Sequence, residues 1–95
     1  MYSFHKTIEC SDLKPCSCGK MPTASIDTLY YDYDPRDSGW KYASVIECEC
    51  GNMTVGWDYS VDLVKNYWNQ GKYVDPYNLR QYVLRRRAAE QKMCE

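Results

Sequence analysis

From Ala24 to Tyr33 the chain reads ASIDTLYYDY, rich in β-branched and aromatic residues with an alternating trend, which predicts a strand. DPRDSG at 34–39 gathers turn formers, with Pro35 at a position suited to a turn. WKYASVIEC at 40–48 alternates again: Trp40, Tyr42, Ser44, Ile46 and Cys48 share one face, Ala43 and Val45 the other. The pattern predicts a β-hairpin, followed by a third strand over NMTVGWDY at 52–59. Residues 1–12 show little periodicity and read as irregular.

The period then lengthens. Val61, Val64, Tyr67 and Trp68 fall at i, i+3, i+6 and i+7, the stripe of a short helix able to lie on the sheet. Ser60 is placed to cap its start, Asp62 sits in its first turn, and Gly71 stands where a left-handed C′ residue ends a helix. Asp75-Pro76 opens a second helix through NLRQYVLRRRAAEQK, with Leu79, Tyr82 and Val83 as its stripe and exposed final turns. The fold expected is a small α+β domain: a three-stranded antiparallel sheet, one packed helix over residues 1–71, and a C-terminal basic helical extension over 72–95.

Composition qualifies this picture. In 95 residues only fifteen are Leu, Ile, Val or Phe, under the roughly 20% usual in globular packing. A disordered chain of that kind carries high net charge and few aromatics, whereas this one has a formal charge of −1, ten Tyr and three Trp. A folded domain with a thin aliphatic core and a covalent or metal staple fits better. MYSFHKTIEC at the start has no basic segment followed by an apolar one, and no apolar run is long enough to span a bilayer. A cytoplasmic location is therefore expected, and there paired cysteines hold metal more often than disulfides.

Four of the six cysteines stand in two copies of Cys-x-Cys-Gly, at CSCG (16–19) and CECG (48–51). Two cysteines close in sequence grip one edge of a metal tetrahedron if the backbone turns tightly, and glycine supplies the positive φ that such a turn needs. Two such turns at the end of a hairpin form a zinc ribbon. Cys16, Cys18, Cys48 and Cys50 are thus candidate ligands for one Zn²⁺, although the common spacing is Cys-x-x-Cys. Two buried thiol pairs packed as small hydrophobes, or a redox dithiol, remain alternatives. Cys10 and Cys94 read as spare thiols and His5 as solvated surface. Four thiolates and Zn²⁺ together add −2, taking the formal −1 to about −3.

LKPCSCGK, then IECECGN, then a strand and a helix ending in YWNQG resemble the restriction-alleviation (Lar-like) family of small phage and prophage proteins. The likeness covers roughly residues 12–71 and rests on Leu13, Pro15, Cys16, Cys18, Gly19, Cys48, Cys50, Gly51, Trp68 and Asn69, each cysteine pair being one residue closer than in the family. The resemblance implies a phage-encoded accessory protein that relieves host restriction, with no catalytic residues. It implies a core anchor at Trp68 and a helix-end hydrogen bonder at Asn69.

Charge is uneven: residues 1–60 hold five Lys/Arg against nine Asp/Glu (−4), residues 61–95 seven against four (+3). In the acidic part, YYDYDPRDSGWKY (30–42) sets aromatics among aspartates. It reads either as a solvated hairpin or as a protein-binding finger built on Tyr31, Asp32, Tyr33, Asp34, Asp37 and Trp40. In the basic part, Arg85, Arg86 and Arg87 form either a solvated helix face or a contact for nucleic-acid phosphates. With one His, no phosphate loop and no nucleophile–base arrangement, catalysis is not expected. The leading expectation is a counter-defence protein that binds a host restriction or other immunity complex. The alternative is a nucleic-acid-binding zinc ribbon using its C-terminal helix.

Overall fold

The computed structural model describes residues 5–32, 35–57, 61–73, 75 and 78–93. Alternation in the hairpin is realised as two long strands, β2 (Thr23–Tyr31) and β3 (Gly39–Glu47), flanked by β1 (His5–Ile8) and β4 (Met53–Trp57). All three pairings are antiparallel in the order β1-β2-β3-β4. The sheet therefore has four strands, where three were expected. The extra one lies in the stretch read as irregular: HKTI has a single aliphatic residue, and its partner, from His5↔Asp27 to Ile8↔Ala24, is distant in sequence.

Two helices follow, α1 (Val61–Asn69) and α2 (Leu79–Met93), and each packs against a cluster from a different sheet face. On one face Leu29, Tyr31, Ala43, Val45, Met53 and Val55 pack with Leu79, Tyr82 and Val83 of α2. On the other, Ala24 and Ile46 pack with Val64 and Trp68 of α1 and with Cys16 and Cys48. Odd and even positions of β3 thus serve separate cores, as alternation requires. Leu79, Tyr82 and Val83 bury one stripe of the first half of α2 on the sheet, so that half of the helix belongs to this core where an extension was expected. Aromatics do much of the filling: the Tyr31 ring lies 5.1 Å from Trp57 and 5.3 Å from Tyr82.

Gly71 ends α1 as expected. At φ 74° it donates to the Trp68 carbonyl at 2.9 Å, while Lys72 N–H reaches the Tyr67 carbonyl at 2.9 Å, the paired bonds of a Schellman ending. Ser60 and Pro76, expected at the helix starts, lie outside the described residues. Asp75 caps α2, its carboxylate accepting from the backbone N–H of Leu79 (2.7 Å) and Arg80 (2.9 Å). The helix starts after Asn78, which takes a left-handed φ of 55°. Among the described residues no helix is long and apolar enough to cross a membrane.

Candidate metal centre

The repeated Cys-x-Cys-Gly makes the same turn twice. Gly19 N–H donates to the Cys16 carbonyl (2.8 Å) and Cys16 N–H to the Lys20 carbonyl (2.8 Å); Gly51 and Cys48 repeat the bonds at 3.0 Å and, to Asn52, 2.9 Å. This is a three-residue loop whose last residue must be left-handed. Gly19 (φ 93°) and Gly51 (φ 104°) meet that demand where a side chain would be strained. One turn leads into β2 and the other follows β3, so the hairpin brings them together at one end of the sheet.

The four Sγ atoms lie within 4.8 Å of one another. Two contacts cross between the turns, Cys16–Cys50 at 3.5 Å and Cys18–Cys48 at 3.4 Å. A disulfide needs about 2.05 Å. Sulfurs at about 2.3 Å from a central ion in a tetrahedron stand about 3.8 Å apart, so the cluster has the size of a metal site that needs only slight adjustment. Cys16 and Cys48 are buried while Cys18 and Cys50 are exposed, which a purely hydrophobic packing of thiols does not account for. A four-sulfur set suits a soft or borderline metal ion.

Polar groups aim at the sulfurs. The Cys18 backbone N–H, with the Asn52 side-chain amide also donating to Cys16 Sγ at 3.3 Å, holds the Cys16 thiol down at about 5 against the effect of burial. The Cys50 N–H favours the Cys48 thiolate, yet burial and the three neighbouring sulfurs push that thiol up to about 12. Cys50 is also raised: its bond from the Asn52 N–H is outweighed by Cys16 and burial. Four thiolates cannot coexist here without a cation to offset them.

The end of α1 fastens the first turn. Trp68 Nε1–H donates to the Lys14 carbonyl (3.0 Å), and Asn69 accepts from Lys14 N–H (2.9 Å) and donates to the Asp12 carbonyl (2.9 Å). Tyr73 Oη accepts from the Ser17 N–H at 3.2 Å. Trp68 is the buried anchor that was expected, and Asn69 bonds the segment leading into the turn. Asn52 and Tyr73 were missed; an amide next to the second Cys-Gly was the only signal for either.

The other expected site residues scatter. Tyr31 is buried in the α2-side core, whereas its neighbour Tyr30 is exposed. Trp40 and Asp32 are exposed, Asp37 is exposed and pairs with Lys41 at 2.9 Å, and Tyr33 and Asp34 lie outside the described residues. Arg85 lies over the Tyr82 ring (5.3 Å) and Arg86 over the Trp40 ring (5.0 Å). Arg87 binds Glu47 through two bonds (2.8 and 2.6 Å) and Asp27 at 2.6 Å. Burial opposes its charge, but these carboxylates hold its pKa above the ordinary value. His5, read as surface, bonds Asp27 across the β1–β2 pair. Cys10 packs at the edge of the α1-side core, and Cys94 lies outside the described residues. No family model, curated protein or solved structure matches the chain.

Proposed function

We propose that the chain is a zinc-stapled, non-catalytic binding module of the zinc-ribbon kind. In this reading it is a phage-type counter-defence protein that occupies a host restriction or other immunity complex in the bacterial cytoplasm. One Zn²⁺ held by Cys16, Cys18, Cys48 and Cys50 fixes the hairpin base; the far end of the hairpin carries the binding surface.

The observation that carries the binding role is a set of exposed aromatics at that far end. Tyr30, Trp40 and Tyr42 are 50%, 55% and 44% exposed. Tyr30 and Trp40 are a directly opposed cross-strand pair, their rings edge to face with centroids 5.4 Å apart. Alternation puts Tyr42 on the same face. Exposed clustered aromatics on a small domain mark interaction sites, and Tyr and Trp are the side chains that most often dominate such interfaces. The Arg86 guanidinium over Trp40 restrains the indole before any partner arrives, reducing the ordering cost of binding. Asp32 and Asp37 border the surface and would steer a basic partner.

The resemblance to restriction-alleviation proteins supplies the biology of the proposal. Binding nucleic acid through Arg85, Arg86 and Arg87 is the weaker reading, since Arg87 already serves two carboxylates and the other two lie on aromatic rings.

The test is phage plating efficiency on a restriction-positive host, with Trp40→Ala and Arg85→Ala compared after both are checked for folding. We expect Trp40→Ala to lose relief and Arg85→Ala to keep it, a central aromatic anchor being worth ~2 kcal/mol or about thirtyfold in affinity. Full relief by Trp40→Ala with none by Arg85→Ala would transfer the function to nucleic acid. Absence of relief by the parent protein would end the counter-defence reading.

A further inference from the structure

Two of the sulfur contacts in the candidate metal centre run between the turns, close enough for the cysteines to react with each other as well as to hold a metal. Each close sulfur pair joins one exposed cysteine to one buried cysteine of the opposite turn: exposed Cys18 with buried Cys48 at 3.4 Å, exposed Cys50 with buried Cys16 at 3.5 Å. We propose that the centre is an oxidation site, at which a peroxide converts the two cross-turn cysteine pairs into disulfides and releases the metal while the sheet end stays clamped. The inference rests on the metal centre proposed above.

The chemistry follows from exposure. Oxidants reach accessible thiolates first, which here are Cys18 and Cys50. The Cys18 sulfur attacks one peroxide oxygen; the O–O bond breaks, a sulfenic acid forms, and the other oxygen leaves as water after taking a proton. The Cys48 thiolate, already beside it, attacks the oxidised sulfur; the S–O bond breaks, the S–S bond forms, and a second water leaves. Cys50 and Cys16 repeat the sequence. Four thiolates, two peroxides and four protons give two disulfides and four waters, and the Zn²⁺ departs with its charge unchanged.

Geometry selects the cross-turn product. Closing either pair requires the sulfurs to approach by a little over an ångström, within reach of side-chain rotation. A bond within one turn would close a small ring across a single intervening residue, in a loop whose backbone is fixed by the Cys16–Lys20 and Cys48–Asn52 hydrogen bonds. The cross-turn bonds instead join residues 34 and 30 positions apart, so they tie together the same two chain segments that the metal tied. Oxidation and chelation therefore have different consequences: both remove the metal, but only oxidation leaves the turns joined.

The full-length protein, loaded with zinc, is treated with hydrogen peroxide. A chromogenic chelator reads the released metal, and mass spectrometry of non-reduced peptides maps the bonds; a Cys10→Ser, Cys94→Ser variant runs alongside to remove the bystander thiols. The expected result is loss of one zinc per chain, a mass lower by four hydrogens, and Cys16–Cys50 and Cys18–Cys48 linkages. A cooperative melting transition should persist, and a dithiol reductant with added zinc should restore the starting form. Links within one turn, retention of zinc, or sulfinic acid at Cys18 and Cys50 without disulfides would overturn the proposal. If the purified protein holds no metal, the zinc reading fails, while the linkage map still decides the pairing.

Discussion

Asn52 is the side chain outside the four cysteines that donates to a sulfur of the candidate metal centre. Its side-chain amide donates to Cys16 Sγ and Ser17 Oγ, both at 3.3 Å, and so ties the second turn to the first. An N–H aimed at sulfur drains charge from the thiolate and orients it. Asn52→Ala is expected to weaken zinc binding about tenfold with the ligands intact, measured by competition with a chromophoric chelator; unchanged affinity would make the bond incidental. The thiol pKa values set the pH response. Without metal, the Cys48 thiol is pushed up to about 12 and Cys50 is also raised, so at neutral pH a metal ion bound by the four sulfurs would have to displace protons from both. Acid opposes binding. Affinity is expected to fall by at least about a hundredfold per pH unit below neutrality, tenfold for each of these two displaced protons, and the loaded fold is expected to lose stability as pH falls. Competition titrations at several pH values check this, and a flat profile would show that the ligands are not these thiols.

At the scale of elements, each helix adds to its apolar stripe one side chain that bonds it to the rest of the fold. Trp68, 2% exposed, joins α1 to the sheet and to the Lys14 carbonyl; Trp68→Ala should cost about 3–5 kcal/mol, seen as a fall in melting temperature. Arg87 does the same for α2. It neutralises Asp27, which is 1% exposed, and removing one member of a buried pair costs about 3–5 kcal/mol because its partner is left charged in the interior. Arg87→Met is therefore expected to destabilise the fold strongly, and Arg85→Ala to leave the melting temperature nearly unchanged. Equal melting temperatures for the two would show Arg87 to be a surface residue after all.

These elements also show what could be read in advance. The hairpin, α1 and its Gly71 ending were legible because alternation, helical spacing and capping are local. β1 was not, since its four residues become a strand only by pairing with Ala24–Asp27. Nor was the Arg87 cluster, although Asp27 shares its parity with Leu29 and Tyr31, and a carboxylate at an inward position demands a partner. YYDY offers an aromatic to each face, which let Tyr31 pass for a surface residue; the inward parity of Leu29 was the deciding clue.

Taken whole, the molecule is one sheet with two unequal cores. Among the described residues the α2-side core contains no cysteine, whereas the α1-side core includes Cys16 and Cys48. Metal loss should therefore not act uniformly. Structural zinc sites in small peptides contribute apparent free energies of ~10 kcal/mol, and a metal held by these four cysteines would contribute through the turns, the 12–14 segment that Trp68 and Asn69 hold, and α1. Leu29 of β2, Val45 of β3, Val55 of β4 and Leu79 and Val83 of α2 form a cluster that includes none of the four cysteines. On chelation, amide hydrogen exchange is expected to accelerate first at residues 12–20, 48–52 and 61–69, with 41–45 and 79–84 retaining protection longest. Cys48→Ser should reproduce that pattern without chelator, because it removes both a ligand and a buried core atom. The aromatic surface at Tyr30, Trp40 and Tyr42 stands on the ladder farthest from the metal. A chelated protein that kept its α2-side core would thus be expected to retain some partner binding while failing to hold α1. Simultaneous loss of protection over the whole chain would mean instead that the two cores fold as a single cooperative unit, with the metal supporting both.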